Sequence, residues 1–164
     1  MKIGDKHYRS LWWEESLQVL QIIDQRSLPY DFRIQNVDTI EGYVDAIVQM
    51  RVRGAPLIGA TAAYGMALAM AQNPSDSNIQ STWDTLYATR PTAVNLRWAL
   101  EQVRSAIEAL EPEDRSEAAW NRAMEIRTSD IDNCSRIGDC GLEQFEQLSI
   151  QDSSGTLNVM THCN

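Results

Sequence analysis

Two stretches of this 164-residue chain share one design: an arginine in a tight turn, a proline, then the start of a helix. The first is Arg53-Gly54-Ala55-Pro56 and the second is Arg90-Pro91-Thr92-Ala93. Free backbone N–H groups and the positive end of a helix favour anions at such places. Gly54 lets the backbone approach a ligand closely, and an arginine can grip phosphate through two parallel hydrogen bonds. Taken singly, each stretch also reads as ordinary helix capping, so both readings stay open. His162-Cys163-Asn164 is the other candidate, at the end of a predicted buried strand. Ligands in α/β sheets collect beyond the carboxyl ends of strands. A cysteine there, near a helix N-terminus and a histidine, is placed to act as acid, base or nucleophile. A free cysteine is equally a small buried hydrophobe.

These residues need elements to hold them. From Trp12 to Val37 short apolar runs are broken by Leu28-Pro29-Tyr30-Asp31, which predicts short strands in a small antiparallel sheet. Trp12 and Trp13 are expected to pack that sheet against a helical bundle, or else to shape an apolar pocket. Asp38 and Glu41 form a capping-box-like start for a helix carrying Ile40, Tyr43, Val44, Ile47 and Val48 on one face. Pro56 suits the first turn of a second helix, Ala-rich and running to about Gln72, with Asn73 to Asn78 as a polar loop. After Arg90 a long helix carries Leu96, Leu100, Val103, Ile107 and Leu110 as its apolar stripe, with Glu101, Arg104 and Glu108 as a solvated face. Pro112 opens a further helical tract to about Leu148. Ile131, Cys134, Ile137, Leu142, Phe145 and Leu148 give it an apolar side, and Gly138 and Gly141 either interrupt it or permit close packing. Thr156 to Thr161 reads as a strand, yet the three residues after it supply no sheet neighbour. It is either a tail or the first strand of an incomplete α/β domain.

Composition narrows the function. The hydrophobic fraction of 43% and charged fraction of 23% are those of an ordinary globular chain. A formal net charge of −9 argues against neutralising a nucleic-acid backbone and leaves small anionic metabolites open. Polar residues fill the start, so no secretory signal is expected. The apolar run from Ala55 to Ala71 reads as a buried helix and not as a membrane span. Cys134, Cys140 and Cys163 form no close pair, so neither a disulfide framework nor zinc is expected. Cys134 and Cys140 read as packing residues, and the compartment as reducing and cytoplasmic. His7 carries no signal.

Four stretches taken together point further. Ile23-Asp24-Gln25-Arg26-Ser27-Leu28-Pro29, Val52-Arg53-Gly54-Ala55-Pro56-Leu57-Ile58-Gly59, Thr89-Arg90-Pro91-Thr92-Ala93-Val94-Asn95-Leu96 and Thr161-His162-Cys163-Asn164 occur in this order across nearly the whole chain. In combination they resemble the methylthioribose-1-phosphate isomerase family, related to ribose-1,5-bisphosphate isomerase and to the regulatory subunits of translation initiation factor 2B. Leu57 departs from the small residue usual there. The resemblance implies an α+β fold: a small antiparallel sheet over 1–37, a helical bundle over 38–150, and residues 151–164 as the first strand of a truncated Rossmann-like domain. It implies a phosphate grip from Arg53, Gly54, Ala55 and Arg90, with Cys163 as the catalytic cysteine, and neither metal nor organic cofactor. Such enzymes run to about twice this length, and an aspartate of their second domain assists the chemistry. The expected partners are therefore a sugar phosphate, the missing C-terminal half and a second copy in a homodimer, with no nucleic acid and no membrane. A 5-deoxyribose-1-phosphate isomerase and a non-catalytic regulatory or assembly module are the alternatives.

Overall fold

The computed structural model describes residues 2–151 and 158–160, which form an α+β arrangement of five strands and five helices. A small hairpin, β1 (Lys2–Ile3) with β2 (Lys6–His7), precedes a three-stranded antiparallel sheet of β3 (Leu11–Glu14), β4 (Val19–Ile23) and β5 (Ile34–Val37). Strand β4 lies in the middle, and four of its five residues are buried. That burial is why Val19, Leu20, Ile22 and Ile23 stand as apolar pairs around a lone polar Gln21. Gln21 faces outward and donates to Asn36 Oδ1 on β5 at 2.8 Å. Neighbouring residues of a strand point to opposite faces, so the two tryptophans of β3 part company. Trp13 meets the helices through Trp120, ring centroids 4.6 Å apart and edge-on, whereas Trp12 sits 6.0 Å from Tyr8.

The helices are α1 (Ile40–Val48), α2 (Ala55–Gln72), α3 (Asp76–Tyr87), α4 (Val94–Ile107) and α5 (Pro112–Gln151). Helix α1 is capped one residue later than the sequence suggests. The Thr39 hydroxyl, not the Asp38 carboxylate, accepts the Gly42 N–H at 3.1 Å. Helix α2 is the hub, packed by α1, α3 and α4 and buried almost all round from Ile58 to Met70, as its uniform apolar composition requires. Helix α3 begins inside the stretch expected to be a loop. Ser75 caps it by accepting the Asn78 N–H at 3.3 Å, and the Asn78 amide donates to Ala69 O and Asn73 O, closing the end of α2. On α4 the predicted stripe is correct from Leu96 to Ile107, all fully buried. Leu110 lies past the helix end and is 36% exposed. Arg104 and Glu108 pair at 3.4 Å on the outer side.

The chain divides into two compact units, Met1–Arg127 and Thr128–Asn164, with α5 running through the boundary. In the first unit Ala119, Ala123 and Ile126 of α5 join the core. In the second, the expected apolar side is not buried: Ile137, Leu142, Phe145 and Leu148 are exposed, as are Cys134 and Cys140. Those cysteines are therefore not packing residues. Nor do Gly138 and Gly141 interrupt the helix or admit a neighbour among the described residues, since none of their atoms lies within 4 Å of where a Cβ would stand. Gly138→Ala and Gly141→Ala should each stabilise this exposed helix by about 0.5–1 kcal/mol. Thermal unfolding followed by far-ultraviolet circular dichroism reads the gain. Of the predicted last strand, residues 158–160 are described; they form no strand and are exposed, and the rest lies outside the described residues. Among the described residues no helix is long and apolar enough to cross a membrane.

Candidate functional site

Helices α2 and α4 run parallel, and two contacts fix this. Near their starts, Gly59 of α2 lies so close to α4 that an added Cβ would stand 2.7 Å from Asn95 O and 3.3 Å from Ala99 Cβ. Beyond their ends one guanidinium joins them. Arg115 donates from Nε to Leu110 O at 2.9 Å and from Nη1 to Pro74 O at 2.7 Å, and its Nη2 meets Asp76 Oδ1 at 2.7 Å. Its side chain is only 7% exposed. The two helix dipoles therefore point the same way, with a cation at their paired C-termini and their N-termini side by side.

Those two N-termini differ from the capped ones. Thr39 and Ser75 satisfy α1 and α3 with their hydroxyls, and each of these helices has an acidic residue in its first turn. Helices α2 and α4 have neither a side-chain cap nor an acidic first turn. The first intrahelical bonds are Ile58 N–H to Gly54 O at 3.1 Å and Arg97 N–H to Ala93 O at 3.2 Å. The amides of Ala55 and Leu57, and of Val94, Asn95 and Leu96, thus have no intrahelical acceptor. Ordinary capping does not account for these ends.

Each end carries one of the predicted arginines. Gly54 is the N-cap of α2 at φ +91°, a conformation that favours glycine, and Gly54, Ala55 and Pro56 are exposed. Arg53 is half-buried, and its Nε touches Met50 O at 3.4 Å. Arg90 begins a turn closed by Ala93 N–H to Arg90 O at 2.9 Å, which leads straight into α4. Among the described residues neither Arg53 nor Arg90 pairs with a carboxylate, unlike Arg26, Arg33, Arg51, Arg104, Arg115 and Arg122. Arg53, Gly54, Ala55 and Arg90 thus belong to neighbouring helix starts, while Cys163 lies outside the described residues.

Sequence reasoning missed what holds this end in place. Asp24, just past β4 and 6% exposed, accepts the Arg26 Nε at 3.0 Å and Nη2 at 2.7 Å, and also the Arg26 N–H at 3.1 Å. The Arg26 guanidinium keeps the Asp24 carboxyl below the usual range, with burial opposing. Arg51 stands 3.8 Å from the same carboxylate. The Asp-x-Arg pattern at 24–26 was visible, but its pairing with Arg51 is a long-range fact.

The tryptophan-lined pocket is elsewhere. Trp13, Trp120 and Tyr64 line a cavity of about 420 Å³ with Ala71 and Met124. Ala71 lies at the opposite end of α2 from Gly54, and Trp12 takes no part.

The α+β unit thus sets two parallel, uncapped helix starts side by side, with an arginine before each. The chain belongs to the initiation factor 2 subunit family, which it matches over residues 51–164. Over its whole length it is 47% identical to the methylthioribose-1-phosphate isomerase of Sinorhizobium medicae, and it covers 45% of that protein. The chain therefore spans about half the length of such relatives. Similar solved structures include two whose names bear on the family. The translation initiation factor eIF-2B subunit delta from A. fulgidus has TM-score 0.68 and 32% identity, covering 76% of this chain and 38% of that one. The 5-methylthioribose 1-phosphate isomerase from Pyrococcus horikoshii has TM-score 0.66 and 30% identity, covering 74% and 36%.

Proposed function

We propose that this chain is the phosphate-gripping N-terminal half of an aldose–ketose isomerase that converts 5-methylthioribose 1-phosphate to 5-methylthioribulose 1-phosphate in methionine salvage. The observation that carries the reading is the pair of uncapped, parallel helix starts, with Arg53 and Arg90 paired to no carboxylate among the described residues. A phosphate there takes N–H bonds from both helix ends and forked bonds from both guanidinium groups.

The substrate dictates the chemistry. Phosphate esterified at C1 blocks ordinary opening to a free aldehyde, so the ring oxygen is protonated as its bond to C1 breaks, the phosphoester staying intact. Hydrogen then moves from C2 to C1 as the C2 hydroxyl gives up its proton, which leaves the ketone at C2 and balances the proton gained by the ring oxygen. The reaction is redox-neutral overall, with hydrogen moving within one molecule. Cys163 is the residue assigned to the reacting carbons, and an aspartate from a C-terminal half is assigned to the ring oxygen. In this reading residues 1–150 are the binding domain, and 151–164 lead into a Rossmann-like one. The enzyme works without metal or organic cofactor, in the cytoplasm and as a homodimer. This chain alone is inactive.

The test is turnover of methylthioribose 1-phosphate by the purified chain, with and without the C-terminal half of the Sinorhizobium medicae relative. Conversion only in the mixture is expected. Conversion by the chain alone overturns the inactivity, and none in either case overturns the isomerase. The similarity to the eIF-2B delta subunit favours one second reading, a non-catalytic assembly module. Such a module has no use for the anion grip, so failure to bind phosphate together with absent turnover would support it.

A further inference from the structure

Arg51 and Arg53 stand two residues apart and have opposite surroundings. Among the described residues Arg53, at the helix start, pairs with no carboxylate. Arg51 is engaged through both terminal nitrogens, while its Nε is buried without a partner among the described residues: Nη2 meets Asp45 Oδ2 at 2.5 Å, and Nη1 donates to Gln35 Oε1 at 2.6 Å and lies 3.8 Å from Asp24 Oδ2. Its backbone is held on both sides, the N–H by Ala46 O and the carbonyl by the Gln25 N–H, both at 2.9 Å. Val52, next in line, is fully buried. The chain is therefore pinned up to Val52 and then turns at Gly54, a residue with little conformational preference of its own.

The pin begins at one carboxylate. Asp24 is buried between two guanidinium groups and directly follows β4, so it ties the end of the sheet to the segment two residues before Arg53. We infer that Asp24, acting through Arg51, is a positioning residue for the Arg53–Gly54 anion bend. The inference rests on the reading of that bend as a phosphate site. A floppy bend must be ordered when the anion binds, and that cost comes out of affinity. Asp24 makes the ordering part of the fold.

The experiment uses the full chain with two independent readouts: affinity for inorganic phosphate from amide shifts of Ala55 and Leu57, and hydrogen exchange at Gly54 and Ala55. The variants are Asp24→Asn, nearly isosteric but uncharged, Asp24→Glu, which keeps the carboxylate, and Arg51→Lys, which keeps charge but loses the fork. Arg104→Ala removes an unrelated ion pair as control. Asp24→Asn should weaken phosphate binding about tenfold, the size of one misplaced charge-assisted bond, and speed exchange at the bend. Asp24→Glu should restore part of both, and Arg104→Ala should change neither. A lower melting temperature with unchanged affinity and unchanged bend exchange overturns the inference, because Asp24 is then merely structural. If the unmodified chain binds no phosphate, the site reading falls. Exchange alone then decides the positioning: faster at the bend supports it, unchanged overturns it. If Asp24→Asn does not fold, Arg51→Lys gives the same decision.

Discussion

Replacing Arg115 by methionine should destabilise the Met1–Arg127 unit by about 3 kcal/mol, the loss of a mostly buried cation with three charge-assisted bonds. The side chain is 7% exposed and serves two helices at once, through Pro74 O after α2 and Leu110 O after α4. Methionine fills the volume but leaves both carbonyls without a donor and both helix C-termini without a cation. Water can reach the exposed Asp76 and Leu110, which keeps the cost below that of a fully sealed pair. Lysine at 115 keeps the charge but cannot span three acceptors, so it should fall between. Urea denaturation of the three proteins measures the order: arginine, then lysine, then methionine.

Gly59→Ala is expected to be the second large effect, and here two opposing magnitudes decide the sign. Alanine in a helix interior gains about 1 kcal/mol over glycine. The new Cβ, however, would stand 2.7 Å from a backbone oxygen, Asn95 O, which cannot swing aside like a side chain. Overpacking of that kind costs about 3 kcal/mol, so the net loss is about 2 kcal/mol. Gly65 is the control. Its Cβ would meet the end of the Leu86 side chain at 3.1 Å, a contact that can give, and Gly65→Ala should lie within about 0.5 kcal/mol of the parent. Gly59→Ala should also weaken phosphate binding, because relief of the clash moves the α4 start away from the α2 start. Thermal unfolding and phosphate titration of the same samples check both parts.

Much of the fold was legible because periodicity and burial agree in it. The apolar pairs around Gln21 marked a short strand, and the stripe from Leu96 to Ile107 marked the inner face of α4. Helix α3 was hidden because its N-cap, Ser75, sits in a polar run that also looks like a loop. Its inward residues Ile79, Thr82 and Leu86 are too few and too mixed to outweigh that. The far part of α5 misled in the other direction: Ile137, Leu142 and Leu148 have helical spacing but no cover among the described residues. The two arginine bends were legible from local chemistry. That their helices run parallel was not, since it depends on the space over Gly59 and on Arg115 reaching back 41 residues to Pro74. Asp24 stands in one of the four family-like stretches, yet its grip on Arg51 needed the fold.

In the proposed function the Arg53 and Arg90 bends hold one sugar phosphate between them. A titration of the full chain with ribose 5-phosphate, repeated for Arg53→Ala, Arg90→Ala and the double variant, tests it most directly. One bound phosphate per chain is expected, with a loss of about tenfold or more from either single change. The double variant should then bind no worse than the weaker single variant by more than about threefold, because both residues serve one ligand. Two phosphates per chain, each lost with one arginine and indifferent to the other, would contradict it.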